Sequence, residues 1–394
     1  MVSSKDMQRR IYLDNAATSF PKAPGVAQAM SSFITEDCLN PNRTESGRAF
    51  ELFERIYSIR ETLAKLYGHD DPASVVFTRS VTESLNWVIK GLFTKDDHVI
   101  VTSSEHNAVM RPLVQCKIPF SRIPADKEGY SLLDAVEPLI RPNTKAMIVN
   151  ACGNVSGHVE DVAVLAQIAR SHGLLFFVDG AQASPFVELS MDDLGAAGIC
   201  FTGHKGFLGP EGVGGMVLRT DVATAIPPLI AGGTGSESDS EEIPHSLPDR
   251  LEAGTMNIPG ILGFGAALDF VLANRTTLAS NMEAMTRRLY EGILAIDGLE
   301  IVGARFNDEG CGPMNRRRTD VISTISHRKD IAYISSQLLE RCGIETRVGL
   351  HCSPAAHRTI GTFPQGTLRF SPGPFTTADE IDETIECLKG IMNE

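Results

Sequence analysis

Two neighbouring segments of the sequence carry residue types that suit the chemistry of an aldehyde cofactor. Lys205 ends the segment T-G-H-K at 202–205, directly after a short apolar run, and Asp179 ends the apolar run at 176–178. A lysine amine can bond covalently to a carbonyl carbon. A buried aspartate needs a cationic partner, such as the protonated ring nitrogen of pyridoxal 5'-phosphate (PLP). A surface lysine and a helix-capping aspartate are the alternatives for each residue alone, but the pair favours PLP chemistry.

A third segment, at 78–83, has the features of an anion-binding helix start. Ser80 and Glu83 have the spacing of a capping box, in which each side chain bonds the other residue's backbone N–H. The first N–H groups of a helix also bind phosphate. The Thr82 hydroxyl lies in the same turn and could contribute to that site. A plain helix cap is the alternative interpretation.

His106 and Asn154 follow two further apolar runs. His106 lies in the motif S-x-E-H-N at 103–107, and Asn154 begins the motif N-V-S-G at 154–157. An imidazole ring can stack on a planar cofactor and relay protons. Open α/β sheets bind ligands at the carboxyl ends of their strands. We therefore expect these polar residues to share one crevice that suits a flat, phosphate-bearing ligand.

Cys352 and Arg369 are the remaining candidates for chemistry. Cys352 is flanked by His351 and Pro354 rather than by apolar residues, which predicts an exposed loop. An exposed thiol near cationic groups ionises more readily than a buried one. Arg369, in the middle of a predicted strand, could bind a carboxylate with two parallel hydrogen bonds. A buried ion pair is the alternative for this arginine.

The composition restricts the class of protein. The chain has 394 residues, with 36 Lys and Arg against 49 Asp and Glu, and a formal net charge of −13. This length predicts two or three domains, and the acidic balance argues against nucleic-acid binding. The most apolar stretch, at 258–273, is too short to span a bilayer, and the first 15 residues lack an apolar signal region. We expect a cytoplasmic protein with no membrane partner.

Cysteine usage is consistent with that compartment. The eight cysteines form no C-x-x-C pair, so no zinc or thioredoxin motif is predicted. Most should be free thiols in a reducing compartment, and no metal site is expected.

Short apolar runs alternate with helical patterns through the first two-thirds of the chain. Strands are predicted at 74–78, 98–102, 146–151, 174–178 and 199–202, with helices between them such as 80–93 and 162–172. This alternation is typical of β-α-β units around a mostly parallel sheet. A further strand at 212–219 follows a Gly-Pro-Glu-Gly turn, which favours antiparallel pairing.

The last third has a different pattern. A helix begins near 260–274, and strands follow at 300–302, 321–326, 345–348 and 367–370. Thr377 and Glu380 form a capping box for a final helix. This order predicts a smaller α+β unit.

Six ordered motifs resemble those of one family. They are S-x-E-H-N at 103–107, N-V-S-G at 154–157, D-G-A-Q at 179–182, T-G-H-K at 202–205, E-A-G-T at 252–255 and R-V-G-L-H-C at 347–352. In these motifs the chain resembles PLP enzymes of the class V aminotransferase group, fold type I. Within that group it is most similar to cysteine desulfurases and selenocysteine lyases.

The resemblance covers nearly the whole chain, from residues 11–18 to the final helix. It implies an α/β fold, with a large domain on a mostly parallel seven-stranded sheet and a smaller α+β C-terminal domain. The expected large PLP-binding domain is 15–264. The expected small domain is 265–394 together with 1–14, and it carries the loop of the catalytic cysteine.

The resemblance also implies roles for matching residues. Lys205 would bond to PLP, His106 would stack on its ring, and Cys352 would be the nucleophile. The implied cofactor-binding residues are Val81 (by its backbone), Thr82, His106, Asn154, Asp179, Gln182, Thr202, His204, Lys205 and Thr234. The implied substrate-binding residues are Ala16, Ala17, Asn154 and Arg369. Thr234 would reach the phosphate of a neighbouring subunit, which implies a homodimer.

A member of this group would remove sulfur from L-cysteine, leaving L-alanine and a persulfide on Cys352 for an acceptor protein. A selenocysteine lyase acting on L-selenocysteine would use the same residues, and nothing in the sequence separates the two. A transaminase would not need Cys352, and a non-catalytic sulfur-relay protein would not need every polar residue of the site. The compact loop closed by Pro354 resembles the subgroup that depends on a separate sulfur acceptor.

Overall fold

The computed structural model describes residues 10–39, 47–237, 239–306 and 317–394; Cys311 lies outside these ranges. The described strands are β1 (Ile11–Tyr12), β2 (Val75–Thr78), β3 (His98–Thr102), β4 (Phe120–Ile123), β5 (Thr144–Asn150), β6 (Leu175–Asp179), β7 (Gly198–Thr202), β8 (Gly214–Leu218), β9 (Leu299–Val302), β10 (Ile322–Ser326), β11 (Ile344–Glu345), β12 (Arg347–Gly349) and β13 (Thr367–Phe370). The described α-helices are α1 (Val26–Ser32), α2 (Gly47–Leu66), α3 (Val81–Leu92), α4 (Asn107–Gln115), α5 (Val162–Ser171), α6 (Met191–Leu194), α7 (Thr220–Ala225), α8 (Ile258–Leu294), α9 (Ile331–Cys342), α10 (Pro354–Ile360) and α11 (Ala378–Asn393).

The large sheet has seven strands in the order β2-β8-β7-β6-β5-β3-β4. Its neighbours pair in parallel, except that β8 runs antiparallel to both β2 and β7. The predicted mostly parallel seven-stranded sheet is confirmed, and so is the antiparallel strand at 212–219.

The strands of this sheet are apolar on both faces because helices cover both sides. Alternate side chains of a strand point to opposite faces, so Phe176 and Val178 pack into one hydrophobic cluster and Phe177 into the other. Continuous apolar runs are typical of such doubly covered parallel sheets. The strand β4, at Phe120–Ile123, was not predicted, because it is an edge strand that carries Ser121 and an exposed arginine.

A second sheet has four antiparallel strands in the order β12-β13-β10-β9. It packs with α9 and α11 around a separate hydrophobic cluster. The predicted capping box of α11 is confirmed, with Thr377 and Glu380 bonding each other's backbone N–H groups. The predicted strand at 345–348 is wrong in one respect: it divides at Thr346 into β11, which pairs with β1, and β12, which pairs with β13.

The two sheets are joined by α8, a helix of 37 residues. The expected domain boundary at 264 and 265 falls inside this helix, and the domain bounds stay a prediction. Cys342 and Cys387 form a disulfide between α9 and α11, whereas the other described cysteines are free thiols. None of the described helices combines the length and apolarity needed to cross a bilayer.

Candidate active site

The carboxyl ends of four adjacent parallel strands bring the predicted chemical residues to one edge of the large sheet. In the cross-strand register Asn150 of β5 is opposite Asp179 of β6, and Asp179 is opposite Cys200 of β7. Lys205 follows β7 by three residues, and His106 follows β3 by four. The residues expected to share a crevice therefore follow strands that end at one edge of the sheet.

Lys205 is partly buried, and its backbone is firmly held. Burial lowers the pKa of its amine to about 8, and the nearby Asp179 carboxylate opposes that change. The carbonyl oxygen of His204 accepts the Ser19 N–H at 2.8 Å and the Lys22 ammonium at 3.1 Å. A charged donor strengthens such a contact. Lys22, which was not predicted as a site residue, thus anchors the peptide that carries Lys205.

Asp179 is 2% exposed, and its Oδ1 accepts the Ala181 N–H at 3.0 Å. Burial raises the pKa of this carboxyl above its usual value, while the nearby Lys205 amine lowers it. A buried carboxylate in this setting is stabilised by a cation placed beside it. A protonated pyridine nitrogen at this edge would supply that cation.

His106 is the N-cap residue of α4, where its Nδ1 accepts the Ala108 N–H at 3.1 Å. This bond requires a lone pair on Nδ1, so the proton of the neutral ring is on Nε2. Burial, with a smaller contribution from the charge of Lys205, lowers the pKa of His106 to about 4. The ring is therefore neutral near pH 7 and presents a fixed N–H donor.

Two buried polar atoms in the segment from the end of β7 to Lys205 have no hydrogen-bond partner among the described residues. They are the Thr202 hydroxyl oxygen and the Nδ1 atom of His204. Thr202 is opposite Gly214 of β8, and a Cβ on Gly214 would lie 2.8 Å from the Ser80 Cα. Only a glycine lets β8 bring the end of β7 this close to the start of α3. A phosphate there would accept from Thr202 and from the first N–H groups of α3.

The start of α3 differs from the predicted capping box in one bond. The Ser80 hydroxyl accepts the Glu83 N–H at 3.3 Å, as expected. The Glu83 carboxylate instead accepts the Arg79 N–H at 2.7 Å. Ser80 therefore remains the N-cap residue, and only the bond to the Glu83 carboxylate is displaced by one residue; Val81 and Thr82 lie in the first turn of the helix.

Glu105, in the motif at 103–107, is a fully buried carboxyl group whose role was not predicted from the sequence. Its Oε1 accepts the Thr102 hydroxyl at 2.7 Å and the Asn150 N–H at 2.9 Å. Burial, with a smaller contribution from the nearby Asp179 carboxylate, raises its pKa to about 8. Glu105 therefore joins the ends of β3 and β5 as an uncharged acid at neutral pH.

Arg369 is 2% exposed and forms an ion pair with Asp14, with 2.7 Å between Nη2 and Oδ1. Its Nη1 donates to the Asn154 carbonyl oxygen at 3.1 Å, and its buried Nε has no partner among the described residues. The ion pair that the sequence left as an alternative therefore exists. The Nε–H of the guanidinium therefore remains for a ligand.

Ala16 and Gln182 line a cavity of about 540 Å³ that reaches Lys205. The Gln182 amide donates to the Ala16 carbonyl oxygen at 2.9 Å. Ala17 donates its N–H to the Asp14 carbonyl oxygen in the same turn. Ala16 therefore lies beside the cavity that reaches the lysine, and Ala17 lies in the turn that carries Asp14.

Cys352 is exposed, and its turn is joined to the same edge of the sheet. The Asn107 N–H donates to the Cys352 carbonyl oxygen at 2.9 Å, one residue after His106. The side chain of Asn154 contacts both neighbours of Cys352. Thr234 is buried in the 232–250 loop, where its hydroxyl lies 3.2 Å from that of Ser236, and its expected contact across a dimer stays a prediction.

The fold and this edge define an α/β enzyme of a known class. Residues 11–384 match the aminotransferase class-V family, and the chain belongs to that family. Within the described ranges, no cluster of three or more His, Cys, Asp and Glu side chains could hold a metal ion.

Relatives with similar sequences carry one activity in their names. The chain is 30% identical to a probable cysteine desulfurase of Methanothermobacter thermautotrophicus, covering 98% of this chain and 96% of that protein. It is also 30% identical to the cysteine desulfurase IscS of Dictyoglomus turgidum, with the same coverage of 98% and 96%. The apo structure of a cysteine desulfurase from Thermococcus onnurineus NA1 superposes with a TM-score of 0.87 at 25% identity, covering 98% of this chain and 95% of that one.

Proposed function

We propose that this protein is a PLP-dependent cysteine desulfurase, which converts L-cysteine to L-alanine and leaves the sulfur as a persulfide on Cys352. The observation that carries the proposal is the 2.9 Å hydrogen bond from Asn107 to Cys352. This bond joins the backbone of Cys352, whose thiol is exposed, to the residue after His106, at the sheet edge that carries Lys205 and Asp179. The similarity to proteins named cysteine desulfurase supports the same activity.

The residues at this edge fit PLP. Lys205 would bond to its aldehyde and Asp179 would pair with its ring nitrogen, while His106 would stack on the ring. Thr202 and His204, whose buried polar atoms have no partner among the described residues, would bind the phosphate together with Val81 N–H and Thr82. Bound PLP would withdraw electrons from the substrate Cα and make its proton acidic.

Lys205 would move that proton. Because burial lowers the pKa of its amine to about 8, part of the amine is neutral near pH 7 and can act as a base. A base whose pKa is close to the operating pH is efficient in general acid–base catalysis. Asn154 and Arg369 would orient the substrate carboxylate, so that the sulfur faces Cys352.

Cys352 would take the sulfur. Its thiolate attacks the substrate sulfur, the Cβ–S bond breaks, and the electron pair of that bond stays on Cβ. A proton then completes the methyl group of L-alanine, and the sulfur remains on Cys352 as a persulfide. A later thiol acceptor removes it.

The proposal is tested by product analysis with the purified holoenzyme. L-Cysteine should give L-alanine and a mass increase of one sulfur on Cys352. Cys352→Ala should keep the visible absorbance of bound PLP and lose sulfur release. Cys38→Ala, which removes another exposed free thiol, should behave like the wild type. Full activity in Cys352→Ala would refute the assignment of Cys352 as the nucleophile.

We infer that the protein is a cytoplasmic homodimer. We also infer that it delivers sulfur to a separate acceptor protein, because the turn that carries Cys352 is short and held by hydrogen bonds. Parallel kinetics with L-cysteine and L-selenocysteine would show whether selenocysteine is the better substrate. Sedimentation of the holoenzyme would test the dimer, and Thr234→Ala should weaken PLP retention if the contact crosses between subunits.

A further inference from the structure

Cys352 lies in an unfavourable backbone conformation. The Ser353 N–H donates to the Leu350 carbonyl oxygen at 2.8 Å, which closes a four-residue turn. Its two central residues have positive φ angles, 45° at His351 and 58° at Cys352. Glycine and asparagine are the usual residues there, because a Cβ in the left-handed region lies too close to the following carbonyl oxygen. Contacts from outside the turn must therefore hold it.

Asn154 supplies two of these contacts through one carboxamide. Its Nδ2 donates to the His351 carbonyl oxygen at 2.8 Å, and its Oδ1 accepts the Ser353 hydroxyl at 2.8 Å. All three residues are at least nine-tenths buried, and Ser353 is 0% exposed. The residues on both sides of Cys352 are thus held by one side chain that is almost 200 positions away in the sequence.

The Ser353 hydroxyl donates to Asn154 and does not cap the helix that follows it. Ser353 is the N-cap residue of α10, and serine is favoured there because its oxygen accepts an N–H of the first turn. In this chain the Ser353 side chain makes no capping hydrogen bond. The hydroxyl instead donates to Asn154, so this side chain stabilises the turn of Cys352 and not the start of α10.

Asn154 is itself fixed to the substrate side of the site. Its carbonyl oxygen accepts from Nη1 of Arg369 at 3.1 Å, and Arg369 is paired with Asp14. The carboxamide keeps one N–H and one lone pair for a ligand. The turn of Cys352 and the arginine expected to bind the carboxylate therefore share Asn154 as a common anchor.

We propose that Ser353 is a positioning residue for Cys352. By donating to Asn154 it completes the clamp that holds the thiol in line with the sulfur of a bound substrate. The inference rests on the proposed function, since it concerns the step in which Cys352 accepts sulfur. Loss of the hydroxyl lets the turn relax, and displacement of a reacting atom by about 1 Å can cost up to about 100-fold in rate.

The test compares holoenzyme with Ser353→Ala. Persulfide formation on Cys352 is followed in a single turnover by rapid quenching and mass spectrometry. We expect the rate to fall about tenfold, with an unchanged KM for L-cysteine and unchanged PLP absorbance. Exchange of the Cα hydrogen of L-alanine for deuterium reports proton transfer without Cys352, and it should stay at the wild-type rate.

Ser190→Ala is the matched control. Ser190 is the N-cap residue of α6, and its hydroxyl does accept an N–H, that of Asp193. This variant should lose some stability and keep the wild-type persulfide rate.

Two results would overturn the inference while leaving the proposed function intact. One is a wild-type rate of persulfide formation in Ser353→Ala. The other is an equal slowing of deuterium exchange and of persulfide formation, which would mean a general structural defect. Absence of persulfide in the wild type would instead refute the proposed function and, with it, this inference.

Discussion

Replacing Glu105 by glutamine should change how the stability of this protein depends on pH. Glu105 is fully buried, and its folded pKa is about 8, against an ordinary value of 4.5. Between these two values the folded protein holds a proton that the unfolded chain has released. The free energy of unfolding must therefore fall as pH rises through this window. Glutamine keeps an accepting oxygen and has no proton to lose.

The size of the effect follows from the separation of the two pKa values. About 3.5 pH units at 1.36 kcal/mol per unit give roughly 5 kcal/mol. The wild type should lose stability by up to this amount relative to Glu105→Gln, most of it between pH 5 and pH 8. The absolute stability of the variant matters less, because the amide also leaves a buried N–H without an evident partner.

Trp87 provides the signal for the assay, since it is the chain's one tryptophan and is 2% exposed. Urea unfolding followed by its fluorescence at several pH values gives the free-energy difference between the two proteins. Glu188→Gln replaces an exposed carboxylate, and its free energy of unfolding should depend on pH in the same way as that of the wild type. If the Glu105→Gln curve also runs parallel, the buried carboxyl is ionised in the folded protein, and the reasoning about its burial is wrong.

Three further predictions concern the ion pair, the lysine and the last helix. Asp14→Asn should cost about 3 kcal/mol in urea unfolding, because it leaves the buried Arg369 charge unpaired. Cofactor-free protein should take up PLP at a rate that is half-maximal near pH 8 rather than near 10.5, the ordinary pKa of a lysine, since only the neutral Lys205 amine adds to an aldehyde. Borohydride reduction and peptide mapping should then place the reduced PLP label on Lys205. Thr377→Ala should remove the capping box of α11 and cost about 1 kcal/mol, measured as a lower Tm.

The strands of the large sheet could be predicted because burial on both faces leaves a clear apolar run. Residues 98–102 and 199–202 agree with β3 and β7 to within one residue. Phe120–Ile123 could not be found in this way, since an edge strand with an exposed arginine has no such run. The break at Thr346 was also missed, because pairing with two different partner strands depends on tertiary contacts.

The chemical residues of the site were predictable by type, but not their mutual contacts. Lys205 and Asp179 could be recognised because each follows an apolar run, and adjacent parallel strands end at the same edge. For Arg369 the sequence left two roles open, and only the fold shows Asp14 beside it. The bond between Asn154 and Ser353 links residues 199 positions apart, a separation that no local pattern encodes.

The long helix α8 makes the two halves of the chain dependent on each other. At 1.5 Å per residue its 37 residues extend about 55 Å. Its first turns pack on the large sheet through residues such as Phe264, and its last turns pack in the other cluster through Leu289 and Ile293. A cut after residue 264 would sever a single continuous rod and expose an apolar stripe on each fragment. We expect neither fragment to stay soluble by itself, whereas the two expressed together should reassemble around the divided helix.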